Sequence, residues 1–325
     1  MTVLAAAVGM WREFVRRESR IPRDIPVLMY HNVLPEAEEA ESVWIVTKEE
    51  FARQMDQLEA AGYETILPDD IAEVAQGRKL LPEKPVVITF DDGYLGVMEH
   101  AEPILAEHGF KAICYVIVGR IGGEGDTRGR FDNGPLMSLL EVPAMAKRGV
   151  VSIGSHSWKH GKKSPQKRAG EIGPSRTALR QLTGVDTHSY SYPFGRCGYD
   201  FMLEALRENG YTTAMACKDE MFRYGPDANL YEIPRISVYG GRHELSVQAD
   251  AAHGEVSVSN AGVGLPLRVT VRDAARGREW TSDAQFAGGG ETTVFRFPPE
   301  ALDGEREIEA WDKFGIFRYW PPDWP

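Results

Sequence analysis

Residues 86–96 read VVITFDDGYLG, a run of β-branched and aromatic residues that leads straight into two adjacent carboxylates and a glycine. Val86 to Phe90 has the composition of a strand buried on both faces, because such strands carry continuous apolar runs in place of alternation. Asp91 and Asp92 stand where that strand ends, and Gly93 lets the backbone turn sharply. Taken alone, DDG is a turn that caps the next helix. The other reading is a strand that delivers two carboxylates to one end of a sheet.

Outward from this stretch, short apolar strands alternate with helical patterns from residue 26 to about 240, which favours a mostly parallel sheet or barrel. PVLMYH (26–31) is the first strand. TKEEFARQMDQLEAAGY (47–63) is a helix, with Thr47 and Glu50 as a capping box, Phe51, Met55 and Leu58 at helical spacing and Gly62 at its end. GVMEHAEPILAEHG (96–109) is a helix with a kink or break at Pro103. KAICYVIV, VVSIGSH, HSYSYPFG, TTAMAC and EIPRISVY continue as strands, separated by helical LLEVPAMAKRG, SRTALRQLTG and DFMLEALRENG. The pattern resembles a βα barrel. After residue 244, LSVQA, EVSVS, LRVTVR, TTVFRF, REIEAW and IFRYW are short runs with partial period-2 alternation between turn residues, the signature of a small all-β sandwich. The expected organisation is a helical extension over 1–23, a barrel over 24–244 and a sandwich over 245–325.

With 325 residues, the chain has room for one large and one small domain. A formal net charge of -11 argues against unaided binding to nucleic acid or an anionic membrane, because phosphate attraction needs clustered Lys and Arg. Cys114, Cys197 and Cys217 are odd in number and show no CxxC spacing, so small buried thiols are expected in place of a disulfide framework or thiolate zinc site. MTVLAAAVGMWREFVRR has its basic residues after the apolar stretch, the wrong order for a secretory signal, and it is too short to span a bilayer. A cytoplasmic protein is expected. Residues 2–17 read as a helix lying on another surface of the protein, with a membrane-surface helix as the alternative. GGEGDTRGRFDNG (122–134) is a polar loop of a length that belongs to a rim or lid, and PEAEEAES (35–42) is a solvated charge run.

In a parallel βα barrel, the carboxyl ends of the strands converge on one face. The first strand ends in Tyr30 and His31, the next in Asp91 and Asp92, a later one in GSHSWKHG with His156 and His160, and another in SYPFGRCG. His156 and His160 lie four apart, and with one carboxylate they make a two-His, one-carboxylate set that suits catalytic zinc and also non-haem iron. Two aspartates divide the labour: one binds the cation, and the other accepts a proton from water acidified by it.

TFDDG (89–93), HSWKH (156–160) and SYPFG (191–195), in this order, resemble the first three motifs of the polysaccharide deacetylase family, the NodB-homology carbohydrate esterases of family four. The similarity covers roughly residues 24–240. It implies a distorted, seven-stranded (β/α) barrel that removes acetyl groups from N-acetylated sugars with one divalent metal, zinc in the first instance and cobalt, nickel or iron as the others. Residue by residue, it makes Asp91 the general base, Asp92, His156 and His160 the metal ligands, and the Phe194 N–H an oxyanion donor in a loop shaped by Pro193. The family's motif-three arginine is absent; Arg235 in IPRIS is the candidate substitute, a structural salt bridge being its other reading. The D-x-x-D-W motif and the late leucine–histidine motif are also missing, but LMYH (28–31) resembles the permuted arrangement of the poly-N-acetylglucosamine deacetylases and makes His31 the acid. His31 is then expected to be protonated while substrate is bound. Trp44, Tyr94, Trp158 and Tyr192 are candidates to stack on sugar rings, Trp158 foremost. The sandwich has three open roles: glycan binding, a lid, or homo-oligomer formation. A binding module that has lost catalysis, a non-haem iron oxygenase and an O-acetyl or other amide hydrolase are the competing readings.

Overall fold

The computed structural model describes residues 21–35, 42, 44–161, 164–240, 245–260, 265–273, 275–283, 285–287, 292–304, 306–312 and 318–319, with Val8, Trp11, Glu13 to Val15 and Glu18 before them. They form two compact units, divided between Val238 and Tyr239, a few residues before the expected 244.

The first unit is built on one parallel sheet. Its strands are β1 (Val27–Tyr30), β2 (Pro85–Phe90), β3 (Ala112–Val116), β4 (Val151–Ser155), β5 (Ser189–Ser191), β6 (Thr213–Met215) and β7 (Ile236–Ser237), in the spatial order β6-β5-β4-β3-β2-β1-β7. All six pairings along this row are parallel, and Glu64–Thr65 adds a short parallel pairing to β2. The two ends of the row are joined by one segment. Ile233 exchanges backbone hydrogen bonds with Ala214 and Ala216 beside β6, and Ile236 and Ser237 pair with Leu28 and Met29 of β1. The sheet therefore curls back on itself, as the alternation implies.

Helices α1 (Lys48–Ala60), α2 (Pro68–Ala75), α3 (Glu102–Glu107), α4 (Glu141–Arg148), α5 (Pro165–Thr183) and α6 (Asp200–Glu208) fill the crossovers. Both bonds of the Thr47–Glu50 capping box are present, and α1 turns Phe51, Met55 and Leu58 inward. The break at Pro103 takes the form of a π-helical turn over Val97–Ala101 that passes into α3. Every residue of β2 and β3 is buried, which is why neither strand alternates in sequence. Val8, Trp11, Glu13 to Val15 and Glu18 are helical; Val15 is buried, whereas Val8, Trp11 and Phe14 are exposed. Arg23 already belongs to a strand, Arg23–Ile25, paired with Phe222–Tyr224.

The second unit is all β. Strands β8 (Leu245–Asp250), β9 (Glu255–Asn260) and β13 (Thr292–Arg296) form one antiparallel sheet. β10 (Leu265–Asp273), β11 (Arg278–Thr281), β12 (Gln285–Ala287), β14 (Glu307–Asp312) and β15 (Arg318–Tyr319) form the other. Val256, Val258 and Phe295 from the first meet Val269, Val271, Ile308 and Ala310 from the second in a single core, the arrangement of a small sandwich. β11 and β12 were not read from the sequence. PEAEEAES and the tail IFRYWPPDWP fall almost wholly outside the described residues.

Phe51 is buried under α1, so Phe51→Ala is expected to destabilise the protein by about 3–5 kcal/mol. Thr47→Ala, which removes only the cap, should cost about 1 kcal/mol. Denaturant unfolding followed by circular dichroism measures both.

Candidate active site

Asp92, His156 and His160 converge at the carboxyl ends of β2 and β4. A ligand atom from each lies within 4.8 Å of the other two, with His156 Nε2 3.5 Å and His160 Nε2 3.8 Å from Asp92 Oδ1. Local backbone geometry makes this convergence. Asp91 leaves β2 in register, its N–H bonded to the Tyr30 carbonyl, while Asp92 takes a left-handed φ of 72° and so points elsewhere than its neighbour. Gly93 follows at φ 86°, where a Cβ would meet Val116 Cγ1 at 2.9 Å. On the other side, His156 Nδ1–H donates to the Ser191 carbonyl at 2.9 Å, which fixes the tautomer and leaves Nε2 free to face Asp92.

These residues fit a divalent cation. Asp92 Oδ1 and His160 Nδ1 are buried and have no hydrogen-bond partner among the described residues. Burial, and behind it repulsion from Asp91, pushes the Asp92 carboxyl well above the usual carboxylate range. Burial likewise lowers both imidazoles, His160 to about 3. A buried carboxylate under that penalty and two neutral imidazoles are together a donor set that a metal ion satisfies.

Asp91 lies beside this triad in a different environment. Burial alone would raise its carboxyl, but the adjacent Arg235 and then His156 outweigh it and hold the group far below the usual range. Arg235, fully buried, grips both oxygens of Asp91 at 2.8 and 2.6 Å. The guanidinium is itself positioned by the Ala216 carbonyl, Thr89 Oγ1 and Ser191 Oγ, and Ser191 Oγ also donates to Asp91 Oδ2.

Comparison with known proteins agrees with this architecture. Residues 78–214 match the polysaccharide deacetylase family. The chain is 29% identical over 223 residues to YxkH of Bacillus subtilis, named as a polysaccharide deacetylase, with 68% of this chain and 73% of that one covered. It is 24% identical over 240 residues to the poly-beta-1,6-N-acetyl-D-glucosamine N-deacetylase of Staphylococcus epidermidis, covering 70% and 80%. Among solved structures, IcaB from Ammonifex degensii superposes with a TM-score of 0.57 at 26% identity over 66% of this chain and 91% of that one. The Streptococcus pyogenes deacetylase PplD shares the fold, with a TM-score of 0.58 at 24% identity over 67% and 94%. Residues 78–214 belong to the polysaccharide deacetylase family. The Staphylococcus epidermidis relative, as an N-deacetylase, is a hydrolase of a carbon–nitrogen amide bond.

Where this chain departs from the polysaccharide deacetylase motifs, the structure supplies the missing contact from elsewhere. Motif three of the family lacks its arginine here, and Arg235, 144 residues beyond Asp91, makes the bidentate contact with that carboxylate. Asp219 braces it: its N–H donates to the Arg235 carbonyl and its Oδ1 accepts the Ser237 N–H. His31, at the end of β1, packs its ring against Trp44 at 4.4 Å. Burial lowers His31 to about 4, so the imidazole is neutral in the substrate-free protein.

The aromatic candidates divide. Tyr94 and Tyr192 are buried and offer no face to a sugar; instead the Tyr94 hydroxyl lies within hydrogen-bonding reach of Asp92, and Tyr192 donates to the Tyr231 carbonyl. Trp158 is half-buried against Gly119, where a Cβ would meet its Nε1 at 2.6 Å. Phe194, 45% exposed and at φ 60° after the buried Pro193, lays its ring 4.5 Å from that of His160. Phe131 was not read as a site residue. It belongs to the hairpin Arg130–Phe131/Gly134–Pro135 and makes a T-shaped contact with the His160 ring at 5.1 Å, with the Arg120 guanidinium 4.5 Å from its ring centre. The polar loop is thus the wall of the site, held by Asn32 and Tyr94 through the backbone of Asn133.

Two outcomes follow. Arg235→Ala leaves Asp91 buried without its partner and should cost about 3–5 kcal/mol in denaturant unfolding. The lowered folded-state pKa of His31 means that its contribution is complete above about 6.5 and is lost as pH falls towards about 4. Metal-free protein should therefore melt at lower temperature across that window, and His31→Asn should reduce the slope.

Proposed function

We propose that this chain hydrolyses the acetamido group of an N-acetylated sugar or polysaccharide precursor, releasing acetate and a free amine. The observation that carries the reading is the pairing of a buried Asp92–His156–His160 triad with a second carboxylate, Asp91, kept out of the triad by Arg235.

Asp92, His156 and His160 would hold the cation, with zinc the first choice for two imidazoles and a carboxylate. A divalent metal at this point supplies Lewis acidity, which polarises an amide carbonyl and makes water acidic enough to yield a proton to a weak base. Asp91 is that base. Arg235 costs it basicity but keeps it ionised and aims it, so the proton of the attacking water has a fixed acceptor. The turn at Pro193 and Phe194 presents the Phe194 N–H as the donor to the developing oxyanion. His31 is the acid for the leaving amine. Neutral at rest, its imidazole takes up a proton from solvent as negative charge builds beside it, the direction in which Asp91 already acts on it, and passes that proton to the departing amine. Trp158, together with Trp44, Phe131 and Phe194, forms the apolar rim available to a sugar ring.

The Arg235 tether also supports this reading over that of a binding module without catalysis, because a carboxylate buried and aimed beside a metal triad serves no purpose in holding a glycan. Asp91→Asn should abolish acetate release from N-acetylglucosamine oligomers while zinc remains bound, whereas His156→Ala should lose both. Acetate assay and metal analysis of the same samples test this; undiminished turnover in Asp91→Asn would refute it.

A further inference from the structure

The turn carrying His156 and His160 holds a conformation that L-residues disfavour. Ser157 and His160 have φ of 65° and 48°, each costing of order 1–3 kcal/mol and persisting only where the surroundings over-determine the backbone. One side of the turn is tied to the segment after β3: the Val118 N–H donates to the Ser157 carbonyl and the Gly119 N–H to the Trp158 carbonyl, at 3.1 and 2.8 Å. Within the turn, the His160 N–H donates to Ser157 Oγ at 3.2 Å.

The other side is tied to a residue that no motif includes. Glu171, on α5 and 9% exposed, accepts the Lys159 N–H on Oε2 at 3.0 Å.

We propose that Glu171 is a positioning residue for the metal centre. It fixes the Trp158–Lys159 peptide, and so sets the angle at which His160 reaches Asp92. The inference rests on the reading of Asp92, His156 and His160 as metal ligands. It extends the outer shell of that centre beyond the Ser191 carbonyl that orients His156. Because the backbone N–H needs only an acceptor, a neutral amide in place of the carboxylate should serve.

The test is the zinc affinity of the full chain, measured by competition with a chromophoric chelator, with folding checked by thermal melting without metal. Glu171→Ala and Glu171→Leu should bind zinc about 10–100-fold more weakly, and Glu171→Gln should stay close to wild type. Wild-type affinity in a folded Ala or Leu variant overturns the inference, as does a Gln variant that loses as much as Ala. Unfolding of both Ala and Leu variants assigns Glu171 to the stability of α5 and overturns it too. Absence of zinc binding in the wild type instead sinks the metal-centre reading, and this inference with it.

Discussion

A buried guanidinium holding a buried carboxylate is the constraint around which the barrel is organised. Moving two such ions out of water costs several kcal/mol each, and the loss is recovered only if every remaining polar atom is satisfied. Arg235 and Asp91 meet that condition through residues from separate crossings of the sheet: Thr89 on β2, Ser191 on β5 and the Ala216 carbonyl just after β6. Arg235 itself immediately precedes β7, in the segment that joins the two ends of the row. The pair therefore links the curl of the sheet to the orientation of one carboxylate, and a sheet that failed to curl would leave both charges stranded.

Two neighbouring aspartates acquire opposite characters from this arrangement. Asp91, facing a cation, stays ionised, whereas Asp92 is buried against a like charge and driven towards protonation unless a metal offsets it. The difference arises from one left-handed residue, since φ 72° at Asp92 turns the second carboxylate towards the imidazoles. The proposed mechanism depends on this separation, with Asp91 as base and Asp92 as ligand, because a single environment could not serve both roles.

Backbone strain is concentrated in the same place. The described non-glycine residues with positive φ are Asp92, Ser157, His160, Phe194 and Asp219. Three belong to the triad or to the turn that carries it, Phe194 lays its ring against that of His160, and Asp219 braces Arg235. Such conformations are unfavourable alone and persist under multiple restraints, which here are the Glu171 and Ser157 bonds around His160, the tyrosine beside Asp92 and the Arg235 clamp at Asp219.

What could be read locally was read from the chain itself. The apolar run at 86–90, the capping box at Thr47, the spacing of His156 and His160 and the adjacency of Asp91 to Asp92 are short-range patterns, and strand, helix and candidate ligands followed from them. Arg235 was a candidate only through the family resemblance and its place near a strand end; its partner lies 144 residues away, and no spacing rule covers that distance. Tyr94 and Tyr192 have the composition of sugar platforms, yet curling of the sheet turned both rings inward. Phe131 gave no signal because a polar, glycine-rich loop conceals one aromatic that folds over His160. The neutral resting state of His31 and the tether from Glu171 depend on burial and on contacts between distant crossovers. Desolvation and long-range hydrogen bonding belong to the assembled fold, whereas periodicity and capping belong to a few consecutive residues.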